Sequence, residues 1–142
     1  MLISTRGRYA LRVMIDMAEH LSEGCVKLKD VAERQNISEK YLEAIVHSLV
    51  SCGILAGTRG KQGGYRLTRA PEQITVWEIL RQTEGTLSSV SCQKEDAAPC
   101  ERRDFCRSRP LWQGLDRVIC EYLSGYSLAD LARLEREGAD ME

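Results

Sequence analysis

Ile37-Ser38-Glu39-Lys40-Tyr41-Leu42-Glu43-Ala44-Ile45-Val46 reads as an amphipathic helix with its cap in place. Leu42, Ile45, Val46, Leu49 and Val50 recur at helical spacing and form one apolar stripe. The Ser38 hydroxyl can accept from a free first-turn amide, and Gly53 supplies a left-handed stop. Just upstream, residues 28–34 carry Leu28, Val31 and Ala32 on one face, and Gln35-Asn36-Ile37 is a tight turn. Two helices joined by so short a turn make a helix-turn-helix.

Working outward, residues 6–21 repeat Ala10, Val13, Met14, Met17, Ala18 and Leu21 as another helix. On the other side, Ile54-Leu55 and Tyr65-Arg66-Leu67 read as strands around the loop Arg59-Gly60-Lys61-Gln62-Gly63-Gly64. That hairpin makes the motif winged. A capping box, Thr75 with Glu78, starts a fourth helix that ends before Gly85. Residues 86–107 show no apolar period, and a loop of that length is commonly functional. Ser108-Arg109-Pro110 opens a fifth helix whose stripe is Leu111, Trp112, Leu115, Val118, Ile119, Tyr122 and Leu123. Ser127 with Asp130 starts a short last helix, and Gly138 to Glu142 reads as a frayed tail.

The expected fold is mainly α with a small β-hairpin wing: a winged helix-turn-helix plus a long C-terminal dimerisation helix. It divides into 1–70 (DNA-binding), 71–107 (linking helix and cysteine-rich loop) and 108–137 (dimerisation helix and short terminal helix). The stripe from Leu111 to Leu123 is too apolar to face water; it packs on its own domain or on a twin helix, and its place after a long loop favours the twin, with Leu111, Trp112, Leu115, Val118, Ile119 and Tyr122 at the interface.

Charge is divided along the chain. Residues 1–70 carry a net of +4 and residues 71–142 a net of −5, which suits a phosphate partner for the first half. No charged-then-apolar leader and no membrane-length apolar run is visible, so a cytoplasmic location is expected. A disulfide framework among the 6 cysteines is therefore disfavoured, and Cys25, Cys52 and Cys120 read as buried thiols. With 2 histidines and no Ser/His/Asp or Cys/His arrangement, an enzyme is disfavoured.

The polar face of the Ser38-led helix carries Glu39, Lys40, Glu43, Ala44 and His47, which would enter a major groove, and Tyr41 joins the DNA-binding candidates. Glu43 is the informative residue. A carboxylate facing phosphates must accept a hydrogen bond, and cytosine N4 is the natural donor. At the wing, Arg59, Lys61 and Arg66 surround Gly60, Gly63 and Gly64 ahead of Tyr65. Glycines permit close backbone approach, and arginine suits a narrow minor groove. Thr5, Arg6, Arg8 and Tyr9 open the first helix with groups suited to phosphate. His20 and His47 read as structural or surface residues.

Cys92, Cys100 and Cys106 stand in one polar loop. Thiolates so placed can hold an iron–sulfur cluster or zinc, act as a redox switch, or remain unligated. Spacing alone leaves these open. An electron carrier is the other class of function, against which the helix-turn-helix and glycine wing both speak.

Ser4-Thr5-Arg6-Gly7-Arg8-Tyr9-Ala10, Ile37 through Glu43, Arg59-Gly60-Lys61-Gln62-Gly63-Gly64-Tyr65 and Leu111-Trp112 resemble the winged-helix regulators that include IscR, NsrR and CymR. The resemblance spans about residues 1–135. It implies a homodimeric transcription regulator, with Ser38, Lys40, Glu43 and Arg59 at DNA-touching positions. It also implies a [2Fe–2S] or [4Fe–4S] cluster on Cys92, Cys100 and Cys106, which aerobic purification can strip. Two departures stand out. Arg109 replaces the histidine that follows the last cysteine in IscR, and Arg8 replaces the aspartate near the first helix in NsrR-like proteins. The fourth ligand is left open among Glu95, Asp96, Glu101, Asp104, the twin subunit, water or a small thiol. The alternative, as in CymR, is a cluster-free regulator of sulfur metabolism controlled by a regulatory partner protein or by thiol oxidation.

Overall fold

The structure is a computed structural model that describes residues 3–140. Its elements follow the order α1 (Thr5–Glu19), α2 (Leu28–Gln35), α3 (Glu39–Ser51), β1 (Leu55–Thr58), β2 (Gly64–Leu67), α4 (Val76–Glu84), α5 (Arg109–Ser124) and α6 (Leu128–Asp140). The mainly α winged-helix expectation holds. Ser38 caps α3, accepting from the Tyr41 amide, and Gly53 follows with φ +83°. The Thr75–Glu78 capping box is present at the start of α4.

One core joins the helix-turn-helix to α1, α4 and α6. Val13, Met14, Met17, Val31, Leu42, Ile45, Leu49, Ile79 and Leu128 are essentially without solvent contact. Each large apolar side chain buried there contributes about 1.5–3 kcal/mol. A smaller cluster of Val76, Leu80 and Leu87 gathers Trp77, Leu123 and Leu131. Two sequence expectations shift. Val50, read as core, is 37% exposed, and Leu21 lies beyond the end of α1 and is 45% exposed. The tail expectation also shifts, since α6 runs through Gly138 to Asp140; Met141 and Glu142 lie outside the described residues. A single glycine costs a helix about 1 kcal/mol, which a well-capped and packed helix absorbs. The cap is a reciprocal one: Ser127 N–H donates to Asp130 at 2.9 Å and Asp130 N–H to Ser127 at 3.1 Å.

β1 and β2 pair antiparallel, Leu55 with Leu67 through Thr58 with Gly64. The hairpin is tied to the segment before α2, where Val26 and Tyr65 exchange two hydrogen bonds of 2.8 Å. At the far end, the starts of α4 and α6 are stitched together. Val76 N–H donates to Tyr126 at 3.0 Å, and Leu128 N–H to Ile74 at 2.8 Å.

Asp16 fixes α1 against α2. It is 1% exposed. Arg34 donates to both its oxygens, at 3.0 and 2.6 Å, and Gln35 donates to Oδ2 at 3.0 Å. His20 Nδ1 sits 2.7 Å from the Asp16 carbonyl oxygen. Burial alone would raise the Asp16 carboxyl pKa, but the hydrogen bonds from Arg34 and Gln35 and the Arg34 charge outweigh it and lower it. A depressed carboxylate stabilises the fold above its ordinary range, and that contribution is lost as pH falls through the folded value. Asp16→Ala should therefore cost about 3 kcal/mol in urea unfolding at neutral pH. Its stability should also change less than the wild type's on acidification below about pH 4.

Candidate nucleic-acid interface and cysteine site

α3 and the hairpin enclose a groove of about 560 Å³ lined by Glu43, His47, Val50, Thr58, Arg59 and Tyr65, among others. The local reason is simple. The α3 stripe of Leu42, Ile45, Val46 and Leu49 is buried, so the opposite face, with Ser38, Lys40, Tyr41, Glu43 and His47, is left exposed. The paired strands then bring Arg59 and Thr58 up beside Glu43 and His47. His47 lies on the groove wall, on the helix face the sequence assigns to it, whereas Val50 is a groove residue that the apolar stripe concealed. Its three-residue spacing from His47, with Glu43 one turn earlier, is the signal that marks it.

The glycines of the hairpin tip have different duties. A side chain on Gly63 would collide with the Thr58 carbonyl, and one on Gly64 with the Val26 carbonyl. Both therefore serve close approach within the chain. Gly60, at φ +107°, has open space where a side chain would stand. Arg59, Gly60 and Lys61 are exposed, whereas Gly63 is buried and Tyr65 half-buried against Gly57.

At the start of α1, Thr5 and Arg8 are exposed and joined by a 3.1 Å hydrogen bond. Tyr9 meets Tyr41 edge-on, with ring centres 5.6 Å apart, and Arg12 lies over the Tyr9 ring at 5.2 Å. Arg6 takes another course. It is half-buried and donates to the Ser48 hydroxyl and the Ala44 carbonyl of α3. The structure thus brings the first turn of α1 beside α3 through the Tyr9–Tyr41 contact, and Arg6 ties the two helices together.

Cys92, Cys100 and Cys106 line a single cavity of about 310 Å³ together with Arg103, Arg109 and Trp112. Trp112, read as a dimer residue, contributes to this wall. Of the candidate carboxylates, Glu95 lines the cavity, and it is ion-paired with Arg81 at 2.9 Å. Among the described residues, no three His, Cys, Asp or Glu side chains sit in metal-ligating geometry. The donor chemistry nonetheless suits a thiolate-bound anion, because Arg103 and Arg109 share the cavity wall. Cys25, Cys52 and Cys120 are half-buried free thiols away from it.

Cys106 stands at the entrance to α5. The Ser108 hydroxyl lies 3.4 Å from its sulfur. That hydroxyl, then the Ser108 and Arg109 amides, and the Arg102 charge lower its thiol pKa against a small opposing desolvation. The two amides belong to the helix N-terminus, where a thiolate is favoured.

Leu111, Leu115, Val118 and Tyr122 of α5 form an apolar stripe and are 64%, 41%, 57% and 63% exposed. Ile119 is half-buried beside them, and Phe105 in the preceding loop is 66% exposed.

With this geometry, a family model described as Rrf2, iron-dependent transcriptional regulator, matches residues 3–134. The chain belongs to the Rrf2 family. Its members are transcriptional regulators, so this Rrf2 chain is one too and is not an enzyme. It is 36% identical to the IscR regulator of Aliivibrio salmonicida over 131 residues, covering 92% of this chain and 77% of that one. The T. potens IscR structure matches with a TM-score of 0.77 at 37% identity, covering 97% of this chain and 90% of that one. CymR, the global cysteine regulator of B. subtilis, matches with a TM-score of 0.75 at 38% identity, covering 94% and 98%. Among the described residues, no helix of this Rrf2 regulator is long and apolar enough to cross a membrane.

The Cys106 environment is directly measurable. Alkylation of Cys106 by iodoacetamide, followed by mass spectrometry across pH, should titrate below the free-thiol value of about 8.5. Ser108→Ala should move that midpoint upward.

Proposed function

We propose that this Rrf2 regulator binds operator DNA as a homodimer and that an iron–sulfur cluster on Cys92, Cys100 and Cys106 conditions that binding. The observation that carries the DNA reading is the groove in which Glu43 of α3 faces Arg59 of the hairpin. α3 is the helix suited to a major groove, with Lys40 and Glu43 toward base edges. The exposed tip at Arg59, Gly60 and Lys61 suits the adjacent minor groove, and Thr5 and Arg8 suit phosphate. The apolar face of α5 supports a second copy as its cover. Two readers held by paired α5 helices would address two half-sites.

The shared cavity, the arginines on its wall and the likeness to IscR proteins support the cluster reading. When bound, a cluster supplies redox- and ligand-sensitive chemistry at the loop. Cys92, Cys100 and Cys106 would hold it, and Arg103 and Arg109 would offset its negative charge. Arg109 has no lone pair to ligate iron. Loading would shift DNA affinity by the difference in stability between the two loop arrangements. A second reading, regulation by oxidation of Cys106 without a cluster, is supported by its lowered pKa and by the likeness to CymR.

Glu43→Ala should relax base preference at one operator position by about 1–3 kcal/mol, read by binding to single-base variants of a selected site. An unchanged preference would remove α3 from the groove. Anaerobic reconstitution with ferrous iron and sulfide should give iron and visible absorption, which Cys106→Ala should abolish while dimer mass is kept. A colourless, iron-free wild type would leave the thiol-oxidation reading in its place.

A further inference from the structure

α1 begins with half of a motif. Ser4 is its N-cap, and its hydroxyl accepts from the Gly7 amide at 3.2 Å. A complete capping box needs a glutamate or glutamine at that third helical position, reaching back to the cap residue's own amide. Here the third position is Gly7, which has no side chain to reach with.

The carboxylate comes from a different helix. Glu84, the last residue of α4, accepts from the Ser4 amide at 3.0 Å and from the Ser4 hydroxyl at 2.7 Å, both through Oε1. A Cβ on Gly7 would collide with that same oxygen. Glu84 therefore occupies the space that a capping side chain at position 7 would take. The Ser4 hydroxyl therefore works in both directions, donating its hydrogen to Glu84 and accepting from the Gly7 amide. In α4 itself the box closes within one helix, between Thr75 and Glu78, so the contrast lies inside a single chain.

We propose that Glu84 is a positioning residue, completing the α1 cap from outside and so aiming the first turn of α1 at the DNA backbone. The proposal rests on the DNA-binding reading above. Thr5 and Arg8, the exposed groups of that turn, follow directly on Ser4. Hydrogen bonds to a carboxylate are the stronger kind, and here both end on one oxygen. A small displacement of the α4 terminus releases both together. Gly85, at φ +76°, comes next and opens the segment that carries Cys92. The end of α4 is thus shared between the cysteine segment and the reader.

The test uses the full chain, mixed-sequence duplex DNA and a range of salt, below each variant's own unfolding temperature. Glu84→Ala should weaken binding roughly fivefold to tenfold and flatten the salt slope by about one phosphate. Glu84→Gln should keep wild-type values, because its amide oxygen accepts the same two bonds. Adding Gly7→Gln to Glu84→Ala should restore affinity and slope by building the box within α1, a rescue that a merely structural tie does not produce. Unchanged binding by Glu84→Ala overturns the proposal, as does a loss that Gly7→Gln does not repair. A wild type that binds no duplex DNA removes the DNA reading itself, a separate outcome.

Discussion

A carboxylate kept from water sets the geometry of the helix-turn-helix. Asp16 lies in the last turn of α1, and its charge is met by the last turn of α2 through Arg34 and Gln35. Arg12, one turn earlier on α1, donates to the Gln35 side chain at 3.2 Å and also to its backbone carbonyl. The C-terminus of α2 is thereby gripped at two points just before Asn36 turns the chain in the left-handed region at φ 54°. α3 leaves that turn in a direction the network has already chosen. An apolar contact would tolerate sliding, whereas a buried charge with directional donors favours a single register.

The same economy runs through the opposite end of α1. Arg6 binds α3 through Ser48 and Ala44, and the Tyr9 ring meets Tyr41. α1 thus touches α2 through charge and α3 through hydrogen bonds and rings. The three helices are held as one body by polar contacts along a helix whose inner face is apolar.

Local patterns made much of this visible in advance. Leu42, Ile45, Val46 and Leu49 repeat at helical spacing and are all buried, and the Thr75–Glu78 box and Gly53 stop lie where their residue types place them. What escaped is long-range. Arg6 reads as a group suited to phosphate, and nothing local announces that it also donates to Ser48, 42 residues away. The glycines at 63 and 64 read as clearance for a ligand, but the bulk they clear is the chain's own Thr58 and Val26. A period of two or of 3.6 reports which face is buried and is silent about what lies on the other side. For the cysteines, spacing showed three thiols in one loop. Their common cavity with Arg103 and Trp112 depends on how that loop folds back on α5.

The backbone bridge between Thr75 and Ser127 has an evolutionary consequence. The chain departs from the reader at Thr75 and returns to the same spot at Ser127, so everything between is an excursion with its ends tied together. Lengthening such an excursion costs little closure entropy, since the penalty grows only with the logarithm of its size. Residues can be gained or lost among the cysteines without displacing α1, α3 or the hairpin. The cysteine segment can vary in length while the helix-turn-helix and its hairpin stay in place.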